Sequence, residues 1–207
     1  MDLSFYYHII NIAMSFYNSD GSYASMCGNA SMCVAHYSCS NMIAENNHVF
    51  LSGRGKIEVK VEGTRVEVNL GRIRTLERNI IENNMVFVLL DSGVRHLVCF
   101  VSSVDDIPKQ KTKFIERLRY KYDANINFAF TKSVSNIIFT TYERGVEDIT
   151  LACGTGGASV FYLAYNNGYI SNNACLTPPS NSEMFYKMDG SNVFMSGVVR
   201  KIADIVI

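Results

Sequence analysis

The polar and apolar positions of this chain change period several times, and the clearest stretch is Lys56-Ile57-Glu58-Val59-Lys60-Val61-Glu62, which alternates strictly. After Gly63-Thr64 the alternation resumes in Arg65-Val66-Glu67-Val68-Asn69-Leu70. Successive side chains of a strand point to opposite faces, so these two runs predict a hairpin with one wet face and one buried face. Upstream, Ile9 to Tyr17 reads as a strand that ends in the loop chemistry of Asn18-Ser19-Asp20-Gly21-Ser22, and a helix is expected from about Cys27 to Ala44. Downstream, strands are expected over Met85 to Leu90, His96 to Val101, Asn125 to Phe130 and Ser135 to Tyr142. Pro108 is expected to open a charged helix running to about Tyr120, and a last helix spans about Gly154 to Tyr165. Glu183 to Lys187, Val193 to Ser196 and Arg200 to Ile207 again read as strand.

The order strand, turn, cysteine, helix, strands thus occurs twice. Hairpins mixed with isolated helices predict an α+β fold rather than a parallel βαβ sheet. The simplest arrangement is two pseudo-symmetric lobes, each a mixed, mostly antiparallel sheet wrapped around a central helix, with a ligand cleft between them.

Composition narrows the function classes. The 207 residues suffice for a substantial core, and 19 Lys and Arg balance 19 Asp and Glu. No charge excess argues for nucleic acid or a membrane surface. Six cysteines lack the density of a disulfide scaffold and fit a reducing compartment. Leu3 to Phe16 is apolar but interrupted by His8 and Asn11, without a basic leader region, and no run is long enough to span a bilayer. The expectation is a cytoplasmic protein with a small-molecule partner.

The cysteines carry the chemistry. Met26-Cys27-Gly28-Asn29 and Ala152-Cys153-Gly154-Thr155 each place a thiol where a helix begins. Unpaired N–H groups and the helix dipole favour a thiolate there, which predicts thiol pKa values below the ordinary ~8.5. The same N–H groups hold a carboxylate, glycine allows close approach, and Asn29 or Thr155 adds a side-chain hydrogen bond. If both helices open on one cavity, one thiolate removes a proton from a carbon beside that carboxylate and the other thiol returns one to the opposite face. Cys33, Cys39, Cys99 and Cys175 read as small apolar side chains, Cys99 within the buried run Leu97 to Val101. Cys33, His36 and Cys39 do not share a helix face, so no metal site is expected.

Phe16-Tyr17-Asn18-Ser19-Asp20-Gly21-Ser22-Tyr23-Ala24-Ser25-Met26-Cys27-Gly28-Asn29 resembles the first signature of diaminopimelate epimerases. The second is similar to Tyr142-Glu143-Arg144-Gly145-Val146-Glu147-Asp148-Ile149-Thr150-Leu151-Ala152-Cys153-Gly154-Thr155-Gly156. The resemblance extends through Gly93-Val94-Arg95-His96, Asn125-Ile126-Asn127-Phe128 and Phe194-Met195-Ser196-Gly197. It implies a cofactor-independent epimerase that interconverts LL- and meso-diaminopimelate in the synthesis of lysine and peptidoglycan precursors, and a homodimer. By position it makes Cys27 and Cys153 the acid–base pair, with His96 and Glu143 tuning the thiols. Gly28, Asn29, Gly154 and Thr155 would hold the reacting carboxylate, and Asn18, Asn125, Glu143 and Arg144 would contact the substrate's polar groups.

The departures from the family pattern raise further expectations. Family members begin with a segment carrying Met-His-Gly-x-Gly-Asn-Asp-Phe, and this chain starts beyond it. Residues 1–80 are therefore expected to form an N-terminal lobe without its first strands, completed by about 198–207, and residues 81–197 the C-terminal lobe. Gly-x-Arg of the first signature reads Ala30-Ser31-Met32, the asparagine of Gly-Asn-Pro-His is Val94, and a glycine pair near Pro178-Pro179 is replaced by Ser180-Asn181. These changes keep two alternatives open: a racemase of another amino acid such as histidine, or an inactive homologue with a structural or binding role. A disulfide between Cys27 and Cys153 on oxidation would block the site.

Overall fold

The computed structural model describes residues 12–17 and 21–203. The short strands β1 (Phe16–Tyr17) and β2 (Tyr23–Ala24) lead into helix α1 (Gly28–Ser40). Then follow β3 (Asn47–Ser52), β4 (Gly55–Glu62), β5 (Arg65–Gly71), β6 (Arg74–Glu82), β7 (Met85–Asp91) and β8 (Arg95–Phe100). Helix α2 (Lys113–Tyr122) precedes β9 (Asn125–Ser133), β10 (Asn136–Glu143) and β11 (Asp148–Ile149). Helix α3 (Gly154–Asn166) is followed by β12 (Asn173–Thr177), β13 (Met184–Asp189) and β14 (Asn192–Val198).

Among the described residues twelve strands form one sheet in the order β3-β4-β5-β14-β13-β12-β10-β9-β8-β7-β6, with β11 attached to β10. The pairs β8–β9 and β10–β12 are parallel, and their crossovers carry α2 and α3. The other pairs are antiparallel, so the fold is α+β as expected. The sheet is continuous through both halves, because β14 returns to pair with β5. The predicted hairpin is β4–β5: Val59 faces Val68 and Val61 faces Val66 on the buried side, and Gly63 turns the chain at φ 60°.

Each cysteine helix lies on a different part of the sheet. Helix α1 packs on β4 and β5, setting Met32 and Ala35 over Val59, Val66 and Val68. Helix α3 packs on β8, β9, β10, β12, β13 and β14 and buries ten of its thirteen residues. Phe161 stacks on Tyr186 with ring centroids 5.9 Å apart. Each such buried aromatic or aliphatic side chain contributes about 1.5–3 kcal/mol. A second core gathers Ile115 and Leu118 of α2 with Phe87, Leu97, Ile126 and Phe128.

Several boundaries differ from expectation. Helix α1 stops at Ser40 rather than Ala44, because Asn41 Nδ2 donates to Tyr37 O, Met42 adopts φ 56° and Ile43 N donates back to Ser38 O. Helix α2 begins at Lys113 rather than Pro108. Thr112 caps it by accepting the Ile115 N–H, and Pro108 follows a separate short turn capped by Ser103. Residues 200–203 form no strand, and 204–207 lie outside the described residues. Of the expected Ile9 to Tyr17 strand, residues 9–11 lie outside them too, while Ala13 bridges Leu51 in parallel.

Candidate active site

Cys27 and Cys153 occupy corresponding places, as N-cap residues of α1 and α3 with extended backbones of φ −140° and −128°. The two helices meet at these ends. A Cβ added to Gly154 would lie 3.3 Å from Gly28 Cα, and one added to Gly28 would lie 3.5 Å from Gly154 Cα, with Met195 of β14 packed against both positions. Two glycines facing each other keep that approach close, and a methyl group at either would press first on the flexible end of Met195. The approach brings two sets of unpaired helix N–H groups to one place, which suits an anionic group.

A cleft of about 1010 Å³ opens at this junction. Cys27, Gly28 and Asn29 line it from one helix and Cys153, Gly154 and Thr155 from the other, joined by Asn125, Glu143 and Arg144. Tyr17 and Tyr23 also line it and pair edge to face at 5.8 Å. Val94, which stands where the family pattern has asparagine, faces the same space. A smaller cavity of about 440 Å³, bordered by Cys175, Phe185 and Phe194, contains none of the expected site residues. Asn18 lies outside the described residues.

Burial changes the expected acidity of both thiols. It pushes Cys27 up, against the pull of the Ala30 and Asn29 N–H groups, and pushes Cys153 well up, with the nearby Glu143 charge acting in the same direction. Thr155 and the Gly156 N–H, which donates to Cys153 Sγ at 3.4 Å, pull Cys153 back down by less. The expectation of lowered values fails here because the cost of desolvating a thiolate exceeds the gain from the helix terminus. Glu143 completes the arrangement. Burial raises its carboxyl, while hydrogen bonds from Thr150 (2.5 Å) and from Cys153 stabilise the carboxylate. Cys153 therefore has an acceptor for its proton, and Glu143 also acts electrostatically on Cys27.

His96 does not reach the cleft. It is fully buried in β8 behind Thr155, with Nε2 3.0 Å from Thr155 Oγ1, and burial depresses its pKa to about 3. It is thus a neutral imidazole whose contact towards the cleft is Thr155. Asn125 Oδ1 accepts the Arg144 N–H at 2.7 Å, and the Arg144 guanidinium pairs with Asp123 at 3.1 Å.

Three residues escaped the sequence reading. Asn127 donates to His96 Nδ1 at 3.1 Å, and Thr141 donates to Asn127 Oδ1 at 2.8 Å. The signal was available in Asn125-Ile126-Asn127-Phe128, where two amides alternate with apolar residues on a strand too buried to waste them. Arg54, on the β3–β4 turn, donates to Ser92 O and Arg72 O and contacts Met26 Sδ. It ties the approach to Cys27 to the turn before His96, and nothing local in the sequence announces this. All six cysteines are free, and among the described residues no group of three or more His, Cys, Asp or Glu is placed to hold a metal ion. No described helix is long and apolar enough to cross a membrane.

Residues 9–76 match the family model described as diaminopimelate epimerase. A diaminopimelate epimerase from a Nitratiruptor species is 42% identical over 187 residues, covering 90% of this chain and 74% of that relative. One from Helicobacter pylori is 40% identical over 201 residues, with the same coverages. Solved structures share the fold at low identity. A hydroxyproline epimerase from Agrobacterium vitis superposes with a TM-score of 0.71 at 14% identity, covering 91% of this chain and 68% of the other. A PhzF-family phenazine biosynthesis protein from Enterococcus faecalis gives 0.67 at 14%, covering 90% and 74%. With about 40% identity to these epimerases across most of both chains, and with two cysteine-capped helices opening on one cleft, the chain belongs to the diaminopimelate epimerase family.

Proposed function

We propose that this chain interconverts LL- and meso-diaminopimelate by a two-base mechanism that uses its own groups alone, serving lysine and peptidoglycan-precursor synthesis. The observation that carries this reading is the contact between Gly28 and Gly154, which aims two cysteine-capped helices at one cleft. The substrate's reacting carboxylate sits across the two helix starts, held by N–H groups, that of Thr155 among them, together with the Asn29 side chain. One thiolate takes the α-proton from one face, and the thiol on the other side delivers its proton to the opposite face. The substrate thus changes in configuration alone while the two cysteines exchange protonation states, restored by proton exchange with solvent or by turnover in the reverse direction. Cys153 is the base in one direction and Cys27 in the other. Glu143 accepts the Cys153 proton when that thiol must ionise.

An amino-acid α-proton is very weakly acidic, so the site must stabilise the charge that grows on the carboxylate. Fixed N–H dipoles do this best once water is excluded, and closure of the lobes, residues 1–80 and 81–197, over the cleft supplies that exclusion. Asn125 and Arg144 hold the substrate's other polar groups, with Asn18 expected beside them. The working form is a cytoplasmic homodimer. Incubation in deuterated water with diaminopimelate, and separately with histidine, tests the substrate. Deuterium at the α-carbon of diaminopimelate alone supports the proposal, whereas exchange confined to histidine refutes it.

A further inference from the structure

Behind the cleft, polar groups of β8, β9, β10 and α3 form one chain of hydrogen bonds that ends on Cys153, and its direction is fixed. Thr141 of β10 and Asn127 of β9 are cross-strand partners, and the Thr141 hydroxyl donates to Asn127 Oδ1 at 2.8 Å. The Asn127 amide has one tenable orientation. Its Nδ2 is surrounded by acceptors: His96 Nδ1 at 3.1 Å, and Leu97 O and Asn125 O at 3.4 Å each. His96 Nδ1 therefore accepts, and the single proton of the neutral ring resides on Nε2. That N–H donates to Thr155 Oγ1 at 3.0 Å, which turns the Thr155 hydrogen towards Cys153 Sγ at 3.6 Å.

Asn125 Nδ2 also lies 3.4 Å from His96 Nε2. A hydrogen bond donated there would leave both ring nitrogens as acceptors, an imidazolate. The Asn125 amide hydrogens are instead left to the cleft that the residue lines. His96 and Asn127 are completely buried and Thr141 is 1% exposed. Gly156 in the first turn of α3 closes over the array, since a Cβ there would lie 2.6 Å from Thr141 Oγ1 and 2.7 Å from Asn127 Oδ1.

We propose that Asn127 and Thr141 are positioning residues which hold His96 in its Nε2–H tautomer, so that Thr155 presents a hydrogen to the Cys153 sulfur whenever that cysteine is the base. Cys153 then has a donor that favours its thiolate and, in Glu143, an acceptor that favours its thiol. The inference rests on the two-base reading above, and its tests need no turnover, so a failed relay is distinguishable from an absent activity.

The first test is nitrogen NMR of the ¹⁵N-histidine-labelled chain carrying His8→Gln, His36→Gln and His48→Gln, which leaves His96 as its one histidine. At pH 7 the expected spectrum shows Nε2 protonated and Nδ1 bare. A protonated Nδ1, in the other tautomer or in imidazolium, overturns the proposal. The second test alkylates the otherwise unaltered Asn127→Leu chain with iodoacetamide and compares Cys153 with Cys27 of the same molecules by mass spectrometry. The relay predicts a Cys153-to-Cys27 rate ratio about tenfold lower than in the parent chain, because thiolate is the reactive form and has lost its donor. A purely structural role for Asn127 would loosen the site and leave the ratio unchanged or raise it, and either result contradicts the proposal.

Discussion

The N-termini of α1 and α3 carry the same cysteine-glycine turn in different surroundings. Cys153 is buried, accepts the Gly156 N–H, and is faced by Thr155 and Glu143 with His96 behind. Cys27 is half-buried, and its sulfur caps no helix N–H within hydrogen-bonding geometry. Helix α3 is enclosed by the sheet over ten residues, whereas α1 buries five. Similar helix ends thus give one thiol whose proton is managed by built-in partners and one governed mainly by partial burial and by what enters the cleft. Symmetric chemistry at the substrate does not require symmetric preparation of the two acids.

The largest effect that tests this comparison comes from removing a thiol. Cys27→Ala or Cys153→Ala is expected to lower the rate of inversion by about 10²- to 10⁴-fold with folding retained, measured by polarimetry and circular dichroism. A variant of either kind that inverts diaminopimelate at the parent rate would remove that cysteine from the mechanism.

Glycine substitutions probe how tightly each helix start is packed. Gly156→Ala forces a methyl group against Thr141 and Asn127 in the buried array and is expected to cost about 1–3 kcal/mol in urea denaturation. Gly28→Ala meets only the mobile end of Met195 within 3 Å and is expected to cost under about 1 kcal/mol. Equal costs would show that the two ends are packed alike.

Acid sensitivity should also belong to the α3 side. Burial lowers the pKa of His96 from 6.5 to about 3, so below pH 6.5 the unfolded chain binds a proton that the folded chain refuses. The His96 contribution is complete above pH 6.5 and is lost progressively as pH falls towards 3. His96→Gln is expected to lose less stability than the parent chain between about pH 7 and about pH 4.5, read as the shift in urea midpoint.

Much of this could be read from residues next to one another. The β4–β5 hairpin announced itself because one face is wet, and the two cysteine turns because helix starts have local chemistry. The edge strands β3 and β6 did not. Among the described residues each pairs with one other strand, β3 adding only the bridge from Leu51 to Ala13, and β6 runs through Arg74-Thr75-Leu76-Glu77-Arg78-Asn79 with register shifts and a positive φ at Asn79, which erase the alternation. In the site, residues flanking the cysteines were legible, whereas the roles of Asn127, Thr141 and Arg54 depend on pairing between strands and turns far apart in the chain. Thiol acidity was misjudged for a related reason, since the helix terminus is a local feature and the depth of burial is not.

The most direct test of opposed thiols is the early isotope content of both isomers in deuterated water, starting from unlabelled LL-diaminopimelate. Two separate bases predict deuterium at the α-carbon of the meso product while the remaining LL substrate stays unlabelled at low conversion. Equal early labelling of recovered substrate and product would mean that one group both removes and returns the proton, and would contradict the assignment of Cys27 and Cys153 to opposite faces.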